Sequence, residues 1–181
     1  MKLSTPYNAL GFVDPSAFDT FRDLDHPLWP SREDDMRSNR FSTHKQTRSI
    51  VFRWGEREDW PKLLIKEYKG WGEYSDIITP LWERVASLAG LPDTPPINFM
   101  IADLFPGGTI SPHHDLHPFF AWARRFHVPL YIPTGTIFNC RNTEVPLARG
   151  EAFELSNRDE HSVVNPSTEH RFHIVMDFAP R

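Results

Sequence analysis

Hydrophobic residues follow a helical period in one stretch of the first half of the chain. Apolar side chains between residues 74 and 89 recur at i, i+3, i+4 and i+7. Thr79 and Pro80 suit an N-cap and the first helical position, and Gly90 suits the end of a helix. The pattern predicts one amphipathic helix over about residues 80–89, whose apolar stripe packs into a core.

Beyond residue 96, apolar residues alternate with polar ones, as expected for strands. One face of residues 124–132 is apolar and consists of Phe126, Val128, Leu130 and Ile132. The other face is more polar and consists of Arg125, His127, Pro129 and Tyr131. Residues 171–178 alternate likewise, with the polar face formed by Arg171, His173, Val175 and Asp177. Shorter strands are expected at 97–105, 136–141, 143–147, 150–155 and 161–164. Many short strands predict a mainly β sandwich or barrel with few helices.

The segment before the helix gives weaker signals. Residues 1–40 are rich in proline and read as irregular, and 41–54 carry the β-branched and aromatic residues of one or two strands. His44 and Arg48 share one side of such a strand, which would face either a substrate pocket or solvent. Residues 55–72 are polar and read as a loop. We expect one domain over residues 1–181, with a flanking region (1–96) and a β core (97–181).

Composition and charge narrow the class of protein. The chain has 181 residues and a formal net charge of -4, and its basic residues are scattered, which argues against a nucleic-acid binder. Cys140 is the only cysteine, so an internal disulfide is impossible. The start lacks the apolar core of a signal peptide, and no apolar run of roughly 18 residues occurs. These features predict a cytoplasmic protein with no membrane partner.

The segment Ile110-Ser-Pro-His113-His-Asp115 is the strongest chemical signal. On an extended backbone His113 and Asp115 project to the same side, so an imidazole and a carboxylate can share one metal ion. His161 is a third ligand candidate from a separate strand. Two histidines and one carboxylate on one side of a metal, with open positions opposite, are typical of non-haem Fe(II) oxygenases. His114 is expected to point away, and His117 is expected in a loop without a ligand role.

Arg171 follows His161 by ten residues and suits an acidic cosubstrate. An iron oxygenase needs electrons, and a 2-oxoacid bound beside the metal supplies two. Arginine binds the distal carboxylate of such a molecule best, through a bidentate pair. Arg125 and His127 share the polar face of their strand. In an open sandwich that face would be solvated, and in a barrel it would line a pocket for an anionic ligand.

Residues 97–181 resemble the aspartyl/asparaginyl β-hydroxylase domain family of Fe(II)/2-oxoglutarate-dependent dioxygenases. The matching segments are Ile110-Ser-Pro-His113-His-Asp115, Arg125-Phe-His127-Val-Pro-Leu, Asp159-Glu-His161-Ser-Val-Val-Asn165-Pro and Arg171-Phe-His-Ile-Val-Met-Asp177-Phe. Residues 41–54 are also similar to the N-terminal region of bacterial members, which include amino-acid and proline hydroxylases.

The resemblance implies a double-stranded β-helix, the jelly-roll or cupin-like fold. It implies Fe(II) ligation by His113, Asp115 and His161, with 2-oxoglutarate and O2 as cosubstrates. The implied reaction hydroxylates an unactivated C–H bond of a free amino acid or of a peptidyl residue such as aspartate, asparagine or proline. It releases succinate and CO2.

The resemblance also assigns roles to three further residues. Arg171 would pair with the distal carboxylate of 2-oxoglutarate, His127 would lie beside the cosubstrate, and Arg125 would meet the substrate. The animal peptidyl-aspartate hydroxylases of the family carry glycine where this chain has Asp115. This chain has the complete triad, as many bacterial members of the family do. An aspartate within a folded protein domain, the substrate of the animal enzymes, is therefore a less suitable substrate for this chain.

Other interpretations of the sequence stay open. A metal-dependent cupin enzyme of another type, such as an isomerase or a 2-oxoglutarate-independent dioxygenase, would need no Arg171. A non-catalytic jelly-roll module would tolerate the loss of metal ligands. Nucleic-acid demethylases of related chemistry resemble a pattern with a second arginine six residues after the first, and Asp177 stands there in this chain. The sequence fixes neither the substrate nor the oligomeric state.

Overall fold

A computed structural model describes residues 3–29 and 44–180, and all structural statements refer to these ranges. Two antiparallel sheets form most of the structure, which confirms the mainly β prediction. The strands are β1 (Tyr7–Phe12), β2 (Thr47–Glu56), β3 (Leu64–Glu67), β4 (Asn98–Leu104), β5 (Thr109–His113), β6 (Arg124–Tyr131), β7 (Ile137–Cys140), β8 (Thr143–Glu144), β9 (Glu151–Leu155), β10 (His161–Val164) and β11 (Arg171–Phe178). The predicted strand signal at 41–43 lies outside the described residues.

The larger sheet has seven strands in the order β1-β9-β6-β11-β4-β2-β3, and the smaller has four in the order β5-β10-β7-β8. Residues before position 97 therefore supply three strands to the larger sheet, namely β1, β2 and β3. Apolar residues from both sheets pack together in one cluster: Leu104, Phe138, Cys140, Val145, Phe153, Leu155 and Val163. The two sheets thus enclose a shared interior.

The predicted amphipathic helix exists, but it begins earlier than expected. It spans Ser75–Leu88 and places Pro80 inside it, where the sequence suggested the first helical position. The helix includes the residues before Pro80 because they continue its apolar stripe. Ile78 is fully buried, and its backbone N–H donates to the carbonyl oxygen of Tyr74. Gly90 follows the last turn at φ 61° and ends the helix as predicted.

Two predicted loops contain regular structure. Residues 55–72 include the end of β2, the edge strand β3 and a short helix, α1 (Lys69–Glu73). The longer helix is α2 (Ser75–Leu88). A third helix, α3 (Pro118–Trp122), begins directly after His117, which was expected in a loop. β3, α1 and α3 are short or largely exposed, so they lack a periodic apolar pattern. The N-terminal segment, which was expected to be irregular, contains β1 and a 3₁₀ helix, Ser16–Arg22.

The predicted apolar faces of β6 and β11 are confirmed. They pack with α2 and the 3₁₀ helix in the main hydrophobic core, through Phe126, Val128, Leu130, Phe172, Ile174, Met176 and Phe178. The opposite faces of the same strands carry Arg125, His127, Arg171, His173 and Asp177, and most of these side chains are buried too. Strands β6 and β11 therefore have an apolar face toward the helices and a polar, mostly buried face on the opposite side.

Gly150 ties the N-terminal segment to this frame, and a side chain there should destabilise the fold. Its φ is +78°, and an added Cβ would lie 2.5 Å from the carbonyl oxygen of Val13. We expect Gly150→Ala to lower the free energy of unfolding by about 1–3 kcal/mol, as measured by denaturant unfolding. Gly72→Ala is the control, because nothing lies within 4 Å of its added Cβ. Equal midpoints for the two variants would contradict the expectation.

Candidate metal centre

The three predicted ligands come together at one end of the smaller sheet. β5 and β10 pair so that His113 lies opposite His161, and Asp115 follows β5 by two residues. One potential ligand atom from each of the three residues lies within 4.8 Å of the others. The two imidazole rings have centroids 4.2 Å apart. Two imidazole nitrogens and a carboxylate oxygen form a donor set that suits Fe(II), so the site fits the metal that the sequence predicts.

Backbone carbonyls orient both histidines toward the centre of this triad. The Nδ1 atom of His113 lies 2.8 Å from the oxygen of Ser111, and that of His161 lies 2.9 Å from the oxygen of Asp159. Because a carbonyl oxygen only accepts, each Nδ1 donates, and each Nε2 keeps a free lone pair for a metal. Burial lowers the pKa of His161 to about 4, so its ring is neutral near pH 7.

The neighbouring histidines have other positions. His114 is exposed, and its ring lies 3.2 Å from the carbonyl oxygen of Arg158. His117 caps α3, since its Nδ1 accepts a hydrogen bond from the backbone of Phe119. His44 lies close to the triad, with its ring centroid 5.5 Å from that of His113. The pKa of His44 is lowered by burial and by His113.

Arg171 is a buried cation without a carboxylate partner among the described residues. Its side chain begins β11 and is only 3% exposed. Within residues 3–29 and 44–180 Arg171 forms no ion pair, and its Nε atom is buried without a hydrogen-bond partner there. Burial lowers the pKa of Arg171 to about 9, so the group stays protonated near neutral pH. A buried charge is costly unless it is paired, so this position favours an anionic ligand.

Phe138 connects Arg171 to the triad. The guanidinium carbon of Arg171 lies 5.8 Å from the centroid of the Phe138 ring. The centroids of the Phe138 and His161 rings are 6.5 Å apart. His127 is also a neighbour, with its ring centroid 5.6 Å away. One aromatic ring of β7 is therefore surrounded by the buried cation, a candidate metal ligand and His127.

His127 and His173 are buried, and their ring nitrogens have no hydrogen-bond partner within the described parts of the chain. Their rings are 5.8 Å apart, and His127 stacks on Phe153. Burial is the main reason that both pKa values lie well below the usual range, and Arg171 lowers both further. His173 was not among the predicted site residues. Its shared face with Arg171 on β11 is the signal that identifies it.

Arg125 is engaged by two carboxylates of the protein. Its Nε and Nη2 atoms donate to Asp177 at 2.8 and 2.9 Å, and Nη1 donates to Asp115 at 2.7 Å. Asp177 is itself fully buried and accepts a hydrogen bond from Asn98 at 2.6 Å. Arg125 therefore holds Asp115, a candidate metal ligand, in place. The predicted contact of Arg125 with the substrate stays a prediction.

We expect Arg125→Lys to weaken metal binding, because lysine cannot bridge Asp177 and Asp115 with a planar fork. Loss of such a partner typically reduces metal affinity by about 10–100-fold. Calorimetric titration with Co(II) measures this. Arg124→Lys is a matched control, since Arg124 is the neighbouring residue of β6 and pairs with Glu154, away from the triad. The same affinity in both variants would show that Arg125 does not orient Asp115.

Comparison with known proteins places this geometry in context. A family model described as aspartyl/asparaginyl β-hydroxylase matches residues 29–180. No curated protein has significant sequence similarity to the chain. Within the described residues, no helix is long and apolar enough to cross a membrane.

Three solved structures match parts of the chain. An oxidoreductase of the 2OG-Fe(II) oxygenase family from Burkholderia pseudomallei matches with a TM-score of 0.51 at 11% identity, over 74% of this chain and 66% of that one. A predicted oxalate decarboxylase from Thermotoga maritima matches at 0.36 and 17% identity, over 46% and 66%. A cupin domain from Bordetella pertussis matches at 0.36 and 19%, over 46% and 81%.

The chain therefore spans slightly less than two thirds of the length of the Burkholderia and Thermotoga proteins. At 11% identity, the likeness to the Burkholderia structure concerns the fold alone. Together with the two facing antiparallel sheets, it confirms the predicted jelly roll.

Proposed function

Because the chain belongs to the aspartyl/asparaginyl β-hydroxylase family, we propose that it is an Fe(II)- and 2-oxoglutarate-dependent dioxygenase. It hydroxylates an unactivated C–H bond of a free amino acid or a peptidyl residue, and it converts 2-oxoglutarate to succinate and CO2. The observation that carries this proposal is Arg171, a buried cation with no carboxylate partner among the described residues, on the other side of the Phe138 ring from His161. The Burkholderia protein of similar fold is also named as a 2OG-Fe(II) oxygenase.

His113, Asp115 and His161 would hold the metal, which supplies the activation of O2 when bound. The protein's contribution is the position of these three side chains on one side of the ion, so that the opposite side stays open for ligands. The carbonyls of Ser111 and Asp159 keep both imidazoles in the tautomer that a metal requires.

Arg171 would bind the distal carboxylate of 2-oxoglutarate. The rings of Phe138 and Phe153 pack beside the buried polar groups, and a low-polarity environment of this kind strengthens a charge-assisted hydrogen bond. His127 and His173 offer ring nitrogens that need partners in the same region. A dicarboxylate with one end on Arg171 and the other toward the triad would satisfy these groups together.

The burial of Arg171 without a carboxylate partner among the described residues also favours this function over the competing interpretations. A cupin isomerase, a 2-oxoglutarate-independent dioxygenase or a non-catalytic module has no need for a cation at this depth. Keeping an unpaired guanidinium in the interior costs stability, so its presence is best explained by a ligand with a complementary charge.

A 2-oxoglutarate turnover screen tests the proposal. The purified protein is supplied with Fe(II), 2-oxoglutarate and O2, and free amino acids and short peptides are added as candidate substrates. We expect one class of compound to stimulate succinate release and to yield a product heavier by one oxygen atom. A protein that binds the metal but consumes no 2-oxoglutarate with or without these compounds would contradict the proposal.

A further inference from the structure

Arg57 is a second cation near the triad whose role the proposed reaction leaves open. It directly follows β2, and its guanidinium lies over three aromatic rings, at 4.4 Å from Trp54, 4.2 Å from Phe119 and 4.6 Å from Phe120. The ring of Phe120 is shared, because the guanidinium of Arg125 lies 4.5 Å from it. Arg57 is therefore one aromatic ring away from the residue that holds Asp115.

Burial lowers the pKa of Arg57 to about 10, and its charged neighbours are Asp177, Arg125, Asp115 and Glu58. None of these carboxylates forms an ion pair with Arg57 in residues 3–29 or 44–180. Arg171 is not among these neighbours and instead lies on the side of His161, across the ring of Phe138. These two arginines, which have no carboxylate partner among the described residues, thus lie on different sides of the triad, Arg57 toward Asp115 and Arg171 toward His161.

Arg57 has no carboxylate or carbonyl partner in the described ranges. Its Nε and Nη2 atoms are buried without a hydrogen-bond partner. By contrast, Arg48, Arg53 and Arg124 each pair with a carboxylate on an adjacent strand. Stacking on aromatic rings stabilises the cation but leaves the in-plane N–H donors unused. An arginine in this state is ready for a planar anion such as a carboxylate.

The surroundings suit an amino-acid or peptide ligand. Trp60 and Trp122 continue the aromatic wall beside Phe119, with ring centroids 5.5 Å apart. Trp122 is 37% exposed, so part of the apolar surface of these rings remains open to solvent. Such surface next to a fixed cation matches a molecule that combines a carboxylate with an apolar part.

On the basis of the proposed function, we infer that Arg57 binds a carboxylate of the prime substrate, which is therefore a carboxylate-bearing amino acid or peptide. That carboxylate is either the α-carboxylate of a free amino acid or peptide C-terminus, or the side chain of an aspartate or glutamate. Arg171 and Arg57 then bind the cosubstrate and the substrate separately, with the triad between their charged ends.

The test compares carboxylates with their neutral amides in the turnover screen. Each free amino acid is paired with its C-terminal amide, and aspartate and glutamate are also paired with asparagine and glutamine. We expect stimulation of 2-oxoglutarate consumption to vanish when one particular carboxylate becomes an amide, and that arm identifies its source. Equal stimulation by all the neutral forms would overturn the inference.

Arg57→Gln is the direct variant. Loss of a buried charge partner typically costs enough to raise KM for the substrate by about 30-fold or more. Co(II) affinity should stay at the wild-type value, because Arg57 is not one of the three candidate metal ligands. Arg22→Gln is the matched control, because Arg22 also stacks on an aromatic ring, Tyr131, but lies at the far end of β6. An unchanged KM in Arg57→Gln would overturn the inference.

A binding measurement separates this inference from the proposed function. Calorimetry of the Zn(II)-loaded protein with the same amino acids and amides needs no turnover. Carboxylates that bind the wild type but not Arg57→Gln support the inference even if the wild type consumes no 2-oxoglutarate, which would refute only the proposed reaction. Equal binding by both proteins, or no carboxylate binding by either, would overturn it.

Discussion

Replacing Arg171 with methionine should abolish 2-oxoglutarate turnover while leaving the metal site intact. Methionine keeps much of the side-chain volume but removes the positive charge of the guanidinium. Truncating one partner of a buried charge pair costs about 2–5 kcal/mol, which predicts at least a 30-fold loss of 2-oxoglutarate affinity. Steady-state kinetics with varied 2-oxoglutarate measure the loss, and Co(II) titration checks that the triad still binds a metal.

The same substitution should not destabilise the ligand-free protein. The guanidinium has no carboxylate partner in residues 3–29 or 44–180, so its burial is a cost that methionine removes. We expect an equal or higher unfolding midpoint for Arg171→Met. A large loss of stability together with unchanged 2-oxoglutarate kinetics would mean that Arg171 serves the fold and not a cosubstrate.

His161→Ala should eliminate tight metal binding. His161 contributes one of the two imidazoles, and its removal leaves His113 and Asp115 as an incomplete set for a divalent ion. Supporting residues alone change metal affinity by about 10–100-fold, so loss of a ligand should exceed that range. Titration with Co(II), followed by calorimetry and by visible absorption, measures the affinity and reports the coordination.

His114→Ala is the matched control for this experiment. It also removes an imidazole next to the triad, but His114 is exposed and points toward the backbone of Arg158. We expect wild-type metal affinity in that variant. If His161→Ala binds Co(II) as tightly as His114→Ala does, the assignment of the triad is wrong.

Strands with one apolar face were predictable because burial leaves a period of two in the sequence. The strand β11 and its face toward the helices were identified by four alternating apolar residues, Phe172, Ile174, Met176 and Phe178. The polar alternates on β11 then placed Arg171 on the opposite face. The spacing of His113 and Asp115 predicted their shared direction, and the pairing of β5 with β10 supplied His161.

The partner of Arg125 could not be predicted in this way. Its bond to Asp177 depends on the register between β6 and β11, which places these residues opposite each other across 52 positions of sequence. A polar residue on a strand looks the same in sequence whether it meets a substrate or a neighbouring carboxylate. Only the pairing of the strands distinguishes these cases.

Arg57 was missed for a related reason. It lies in a polar stretch without apolar periodicity, and its environment comes from α3, which is remote in sequence. The helix Pro118–Trp122 has only five residues, which is too short for a helical period of apolar residues to be recognised. Contacts between two such irregular segments are set by tertiary packing and leave no local pattern.

The most direct test of a joint metal and cosubstrate site is the dependence of 2-oxoglutarate binding on the metal. Calorimetry without O2 compares 2-oxoglutarate binding to the metal-free and the Fe(II)-loaded protein, with Arg171→Met in parallel. We predict tight binding to the Fe(II)-loaded wild type, and much weaker binding when either the metal or Arg171 is absent. Equal binding under all three conditions, or no binding to the Fe(II)-loaded wild type, would contradict the account.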